Sequence, residues 1–470
     1  RLADISARSG HEARARKLYE ALSENGSAVE RVRALVSLAD LQRSRPDAAS
    51  KAEGEAALAR AFALAIADPT MLGPLEDRIV RDGDYRSFVA HAEAAVARVR
   101  PNTPGVLPMR TAMARILRDE LGNPDAADRQ LAATIQAFPE SMETRLTLAT
   151  GLIGRNDEAA LAELRRAVSA DPIAAGPFEA LVTLLRKTGR NELAAMMASA
   201  AALLGSTSSE VEGVLSSATP LRPVPESFLY DEAMSRLVGP TRARFLRSVL
   251  AHLEPFLGKI FPGGETMLET RARLPETYPI AADIRAIAMA LGVYAPNVHR
   301  GAGRAVALLL TDPRALVLGS DLLTDAGRPL AAFHGAYACA RMASNGSLYV
   351  APRQQAVAML DAATLPDADG PAIRELRRRI SSALPRKTKK DLERIATEVS
   401  ADLHAEFSVW EAEESRRALY SAIVLCRDMR AVGQVLASDA LAIPRIEERR
   451  QALAVNPRVR EVLEFIVSSA

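Results

Sequence analysis

Residues 154–172 read Gly154-Arg155-Asn156-Asp157-Glu158-Ala159-Ala160-Leu161-Ala162-Glu163-Leu164-Arg165-Arg166-Ala167-Val168-Ser169-Ala170-Asp171-Pro172. Ala160, Leu164 and Ala167 stand at offsets of four and seven, on one helix stripe where small side chains let a neighbouring helix approach. Pro172 cannot continue a helix interior and marks a boundary. Ahead of the stripe, glycine suits the positive φ of a helix end, and Asn or Asp caps the next start. The arrangement recurs as Ala57, Ala61, Leu64, Pro69, then Ala90, Ala94, Ala97, Pro101, then Ala127, Leu131, Thr134, Pro139. A fifth set, Ala194, Ala198 and Ala201, ends in Gly205-Ser206 instead. Successive first positions are 33, 37, 33 and 34 residues apart, and a period sustained over four intervals is the mark of a helical repeat.

This layout resembles the tetratricopeptide repeat, whose second helix carries small residues at these offsets and commonly ends near a proline. The resemblance implies an α-solenoid over residues 1–205. Residues 1–50, with amphipathic segments at 15–22 and 32–41, form a divergent or incomplete repeat. Composition agrees with helix: alanine, leucine and arginine abound, aromatics make up 4%, and Trp410 is the single tryptophan. Hydrophobic residues are 48% and charged ones 25%, enough to bury cores across the two or three units expected of 470 residues.

Sixty basic residues against 58 acidic ones leave +2, which gives no global argument for nucleic acid or an anionic membrane. Cys339 and Cys426 both fall in apolar helical patterns, which excludes a disulfide framework and points to a reducing, cytoplasmic compartment. No run approaches the ~18 apolar residues of a membrane-crossing helix. The first residue is Arg, so we expect a piece of a longer protein, with any targeting signal upstream. The alanine and arginine bias leans bacterial.

At 206–227 the character changes. Serines 206, 208 and 209 and then Pro220, Pro223 and Pro225 read as a Ser/Pro-rich linker. Residues 228–470 are expected to form a mostly helical α+β domain with a small sheet. Residues 233–257 read as a helix pair around Val238-Gly239-Pro240, and 304–310 and 314–318 as strands separated by Thr311-Asp312-Pro313. A helix is expected over 328–343, a turn at Asn345-Gly346, a basic helix hairpin over 373–394 interrupted by Pro385, and a strongly apolar helix at 418–426. The fold class is therefore mainly α.

The order strand 314–318, then Gly319-Ser320-Asp321-Leu322-Leu323, then a helix containing His334 resembles the core of HExxH zinc peptidases, in which an edge strand and a glycine-to-leucine step lead into the active-site helix. The likeness covers about fifty residues. Zinc chemistry there needs two histidines four apart and a glutamate beside the first. With His334 at the first position, Gly335 stands where the glutamate belongs and Ala338 where the second histidine belongs. The resemblance implies a zincin-like shell without its metal, so no catalytic residue, metal ligand or cofactor is assigned. A degenerate metallohydrolase is the alternative reading. No nucleophile elbow, Walker A or dinucleotide glycine loop occurs, and His299-Arg300-Gly301-Ala302-Gly303-Arg304 reads as a loop before a strand.

With catalysis unsupported, the expected function is a non-enzymatic scaffold or adaptor that binds other proteins, free or as a subunit of a larger assembly. Candidate partner-binding residues on first helices are Arg110, Arg118, Arg145, Phe178 and Arg186, whose arginines suit an acidic partner. A second local signal is basic. Arg374, Arg377, Arg378, Arg379, Arg386, Lys387, Lys389, Lys390 and Arg394 stand against three acids. A solvated hairpin is the plainer reading, and contact with a membrane surface stays open. No interleaved aromatic supports base stacking.

Overall fold

The computed structural model describes residues 2–217, 242–397 and 403–468. These residues are mainly α-helical with a small three-stranded sheet, and none of their helices is long and apolar enough to cross a membrane. The chain divides into two compact units, Arg1–Thr188 and Gly189–Ala470.

The first unit holds α1 (Leu2–Arg8), α2 (Glu12–Asn25), α3 (Ala28–Arg43), α4 (Ala48–Ala67), α5 (Gly73–Asp82) and α6 (Tyr85–Val96). It continues with α7 (Val106–Asp119), α8 (Pro124–Ala137), α9 (Met142–Leu152), α10 (Asp157–Ala170) and α11 (Ala175–Lys187). Helices pack chiefly on their sequence neighbours, α3 on α4, α7 on α8 and α9 on α10 among them. The expected punctuation is present. Gly83 closes α5 at φ 67° and Gly154 follows α9 at φ 85°, a region that favours glycine. Asp84, Asn123 and Asn156 then cap the next helices by accepting from the N–H of Ser87, Ala126 and Ala159.

The small-residue stripes of α8 (Ala127, Leu131, Thr134) and α10 (Ala160, Leu164, Ala167) are fully buried. On α6 the register differs from the sequence reading. Ala90, Ala94 and Ala97 are exposed, while Phe88, Ala92 and Ala95 are buried at the same offsets of four and seven. Alanine is too frequent in this helix to define a face. Phe88 decides it, meeting Phe62 edge-on with ring centroids 5.0 Å apart.

The second unit begins with α12 (Asn191–Leu203), so the fifth small-residue segment lies here. Ala194, Ala198 and Ala201 are fully buried. Ser209–Ser217, expected as linker, forms α13: Val211 and Val214, one turn apart, bury on the side packed against α12, and that apolar pair outweighs the poor propensity of the serines. The rest of the expected linker, and the Val238-Gly239-Pro240 break, lie outside the described residues.

Next come α14 (Arg244–Leu253), α15 (Leu257–Ile260) and α16 (Pro279–Ala290), followed by β1 (Asn297–Gly301), β2 (Val306–Leu309) and β3 (Ala315–Gly319). The strand order is β1-β3-β2, with β1 parallel and β2 antiparallel to β3. Two expectations change. Residues 299–301 are strand, because β1 pairs with β3 from Asn297↔Ala315 to Gly301↔Gly319. And β3, every residue of which is buried, is the middle strand, not the edge strand the zinc-peptidase likeness implied.

A 3-10 turn at Ser320–Leu323 leads into α17 (Arg328–Ala343). This helix is buried on most of its circumference and packs on α16 and on α21 (Leu403–Cys426). Between them run α18 (Arg353–Thr364), α19 (Pro371–Ala383) and α20 (Arg386–Ala396); after them come α22 (Met429–Leu436), α23 (Ser438–Leu441), α24 (Ile446–Ala454) and α25 (Pro457–Ser468). One core joins Leu246, Val249 and Leu253 of α14 to Met359 and Leu360 of α18, Leu376 and Ile380 of α19, Leu392 and Ile395 of α20, and Phe407 and Trp410 of α21.

Candidate binding sites

Helix α7 buries Met109, Ala112, Met113, Ile116 and Leu117, and its two candidate arginines, Arg110 and Arg118, meet different fates. Arg118 donates to Asp128 Oδ1 (3.3 Å) and to the Thr147 carbonyl (3.4 Å); Asp128 is also held by Arg155 Nη1 at 2.8 Å. Arg145 donates to Glu163 Oε2 (3.0 Å) and to the Pro139 carbonyl (3.0 Å). Both guanidinium groups tie helices together. Phe178 is completely buried and serves the core, while Arg186 is exposed in the last turn of α11 and has a partner within the chain.

Arg110 stands apart. It is half-buried, its Nε is shielded from solvent without an acceptor, and no ion pair or hydrogen bond engages it among the described residues. Burial pulls its pKa below the ordinary value of an arginine, the sign of a cation deprived of water without receiving a countercharge. An arriving carboxylate would supply what the fold leaves out.

In the second unit, the helix read as zincin-like carries His334, Tyr337 and Arg341 at spacings that share one face. Burial pushes His334 down to about 4, so its imidazole is neutral near pH 7. Gly335 abuts Ile284, Ala338 is buried, and no group of three His, Cys, Asp or Glu among the described residues is placed to hold a metal. Arg341 is 2% exposed. Its Nη2 donates to Tyr337 Oη (2.9 Å) and Ser415 Oγ (2.7 Å), and its guanidinium lies 4.3 Å from the centroid of the Tyr349 ring. Sequence reasoning missed this cage, whose only local sign is an arginine inside an alanine-rich, otherwise apolar helix. On α21, buried Glu414 is flanked by Arg417 (3.7 Å) and Arg247 (3.6 Å). The thiols of Cys339 and Cys426 are fully buried; burial pushes Cys339 up to about 12 and Cys426 upward as well. Such thiols are poor nucleophiles.

The basic stretch forms the hairpin of α19 and α20, joined at Leu384 and Pro385. On α19, Arg374 pairs with Asp369 (2.7 and 2.9 Å), Arg378 and Arg379 share Glu375, and Arg377 donates to the carbonyls of Leu365 and Ala368. Arg378 and Arg379 hold the Glu375 carboxyl down at about 2. A shallow surface hollow of about 510 Å³ is lined by Arg374, Arg377, Arg378, Ser381 and Ser382. On α20, Arg386, Lys387 and Lys390 are exposed and Lys389 half-buried.

No protein-family model matches the chain, and no curated protein matches it at a significant level.

Proposed function

We propose that this chain is a non-enzymatic scaffold: a tetratricopeptide-type repeat array in its first half holds a partner protein, and Arg110 anchors an acidic residue of that partner. The observation that carries the reading is the half-buried guanidinium of Arg110 without a countercharge among the described residues. Support for the repeats comes from the neighbour-on-neighbour helix packing and the buried small-residue stripes of α8 and α10. A cation already partly stripped of water loses little more on binding, so an incoming carboxylate is favoured there over an exposed arginine. Membership of a larger assembly is part of the same proposal.

The test is quantitative affinity capture from the native source with wild type, Arg110→Lys and Arg110→Glu, after circular dichroism has matched their folds. Charge reversal should deplete a specific set of proteins that the lysine variant partly retains. Identical captured sets for wild type and Arg110→Glu would overturn the assignment.

A further inference from the structure

The basic residues between Arg374 and Arg394 are not equivalent. Asp369, Glu375 and two carbonyls occupy the arginines of α19. Arg386, Lys387, Lys389 and Lys390 of α20 make no ion pair among the described residues, although Asp391 and Glu393 stand on the same helix. Leu392 and Ile395 are buried. At 100° per residue, Arg386, Lys387 and Lys390 share the opposite, solvent side.

That placement works against the helix itself. Cations in a first turn oppose the helix dipole, no acidic residue offsets them there, and Pro385 offers no side-chain cap. Asp391 and Glu393 lie one turn on, at i+4 from Lys387 and Lys389, but neither closes an ion pair with them among the described residues, so the start of α20 keeps an excess of positive charge that favours an external anion.

The chemistry of the surface narrows what that anion is. Protein interfaces centre on apolar and aromatic anchors, yet residues 371–396 contain no aromatic and expose no large hydrophobic side chain. Single-stranded nucleic acid binds by stacking on aromatics, and the same absence removes that mode. Headgroups of an anionic bilayer ask only for clustered cations on a solvent-facing side, with no insertion.

We infer that the α19–α20 hairpin is an electrostatic docking surface for an anionic lipid bilayer, with Arg386, Lys387 and Lys390 turned toward the headgroups and Lys389 at the edge of that face. This rests on residues separate from Arg110 and stands or falls without it.

Co-sedimentation of the full chain with vesicles tests it, comparing phosphatidylcholine alone with a mixture containing roughly one-third phosphatidylserine. Binding is expected to the mixed vesicles only and to be lost as salt rises toward about 0.5 M. Each lost cation should weaken binding roughly fivefold, so Lys387→Gln/Lys390→Gln should lose roughly 25-fold with no fall in its thermal midpoint, since neither side chain contributes to the core and a cation is removed from the helix N-terminus. Equal binding to both vesicle types, or an unchanged affinity of the double variant, would overturn the proposal. So would selective binding of duplex DNA by these residues without vesicle binding, which would assign the patch to nucleic acid.

Discussion

The guanidinium of Arg118 occupies the space that a side chain at position 151 would need. A Cβ on Gly151 would overlap its Nη2 and Cζ atoms. Gly151 lies inside α9, where glycine costs about 1 kcal/mol relative to alanine. The missing methyl is what lets Arg118 reach from α7 to the Thr147 carbonyl and to Asp128. The two residues should therefore be coupled. Gly151→Ala alone is expected to change stability by less than ~0.5 kcal/mol, as helix propensity offsets the displaced arginine. In an Arg118→Ala background the same change should stabilise by about 1 kcal/mol. Urea unfolding of the four-protein cycle reads this, and additive effects would sink the coupling.

Gly105, ahead of α7, is close-packed for a different reason. Its φ of −73° suits any residue, but a Cβ there would overlap the backbone carbonyl of Ile66, which cannot swing aside as a side chain can. Gly105→Ala should cost about 2–3 kcal/mol by overpacking. Gly73→Ala, with open space around the new methyl, should be neutral or mildly stabilising. Denaturant midpoints of the two variants compare them directly.

Arg78 and Arg81 both contact Asp40, at 2.8 and 2.7 Å, yet their side chains are 6% and 61% exposed. Solvent screens the second pair and not the first. Arg78→Met, which keeps the apolar stem, should destabilise by about 2 kcal/mol because Asp40 and Asp82 lose the buried cation they share and Asp40 keeps only the solvent-screened Arg81. Arg81→Met should cost less than ~0.5 kcal/mol. Equal losses in thermal unfolding would show that burial does not decide between them.

His334 makes stability depend on pH. Its folded pKa lies near 4 against an ordinary 6.5, so below 6.5 the unfolded chain takes up a proton that the native chain refuses. The associated stability is complete above pH 6.5 and is lost as pH falls toward 4, to a total of roughly 3 kcal/mol. His334→Leu should flatten the stability difference between pH 7 and 4.5 relative to wild type. Parallel pH profiles for the two proteins would contradict the neutral, buried imidazole.

Much of the architecture was legible because helix punctuation is local. The glycine and Asn or Asp breaks before α6, α8 and α10, and the 328–343 helix, follow from residues only a few positions apart. What stayed hidden was non-local. The strand at Asn297–Gly301 exists through pairing with β3, and nothing in Asn-Val-His-Arg-Gly alternates. Ser209–Ser217 is helical through two valines that find α12. Of the candidate partner residues, Arg118, Arg145 and Phe178 turned out to serve the fold, because sequence spacing tells which residues share a face and not what lies across from it.

The sequence by itself determined that this chain is mainly α-helical, where its repeat-like helices start and stop, and that a dense run of cations lies between Arg374 and Arg394. Those are properties of composition and short-range periodicity. Only the tertiary structure decided which cations remain unneutralised. Arg118 finds Asp128 and Arg374 finds Asp369, whereas Arg110 and the four cations at the start of α20 find no carboxylate among the described residues. A charge becomes free or spent only when folding brings, or fails to bring, a distant group within reach.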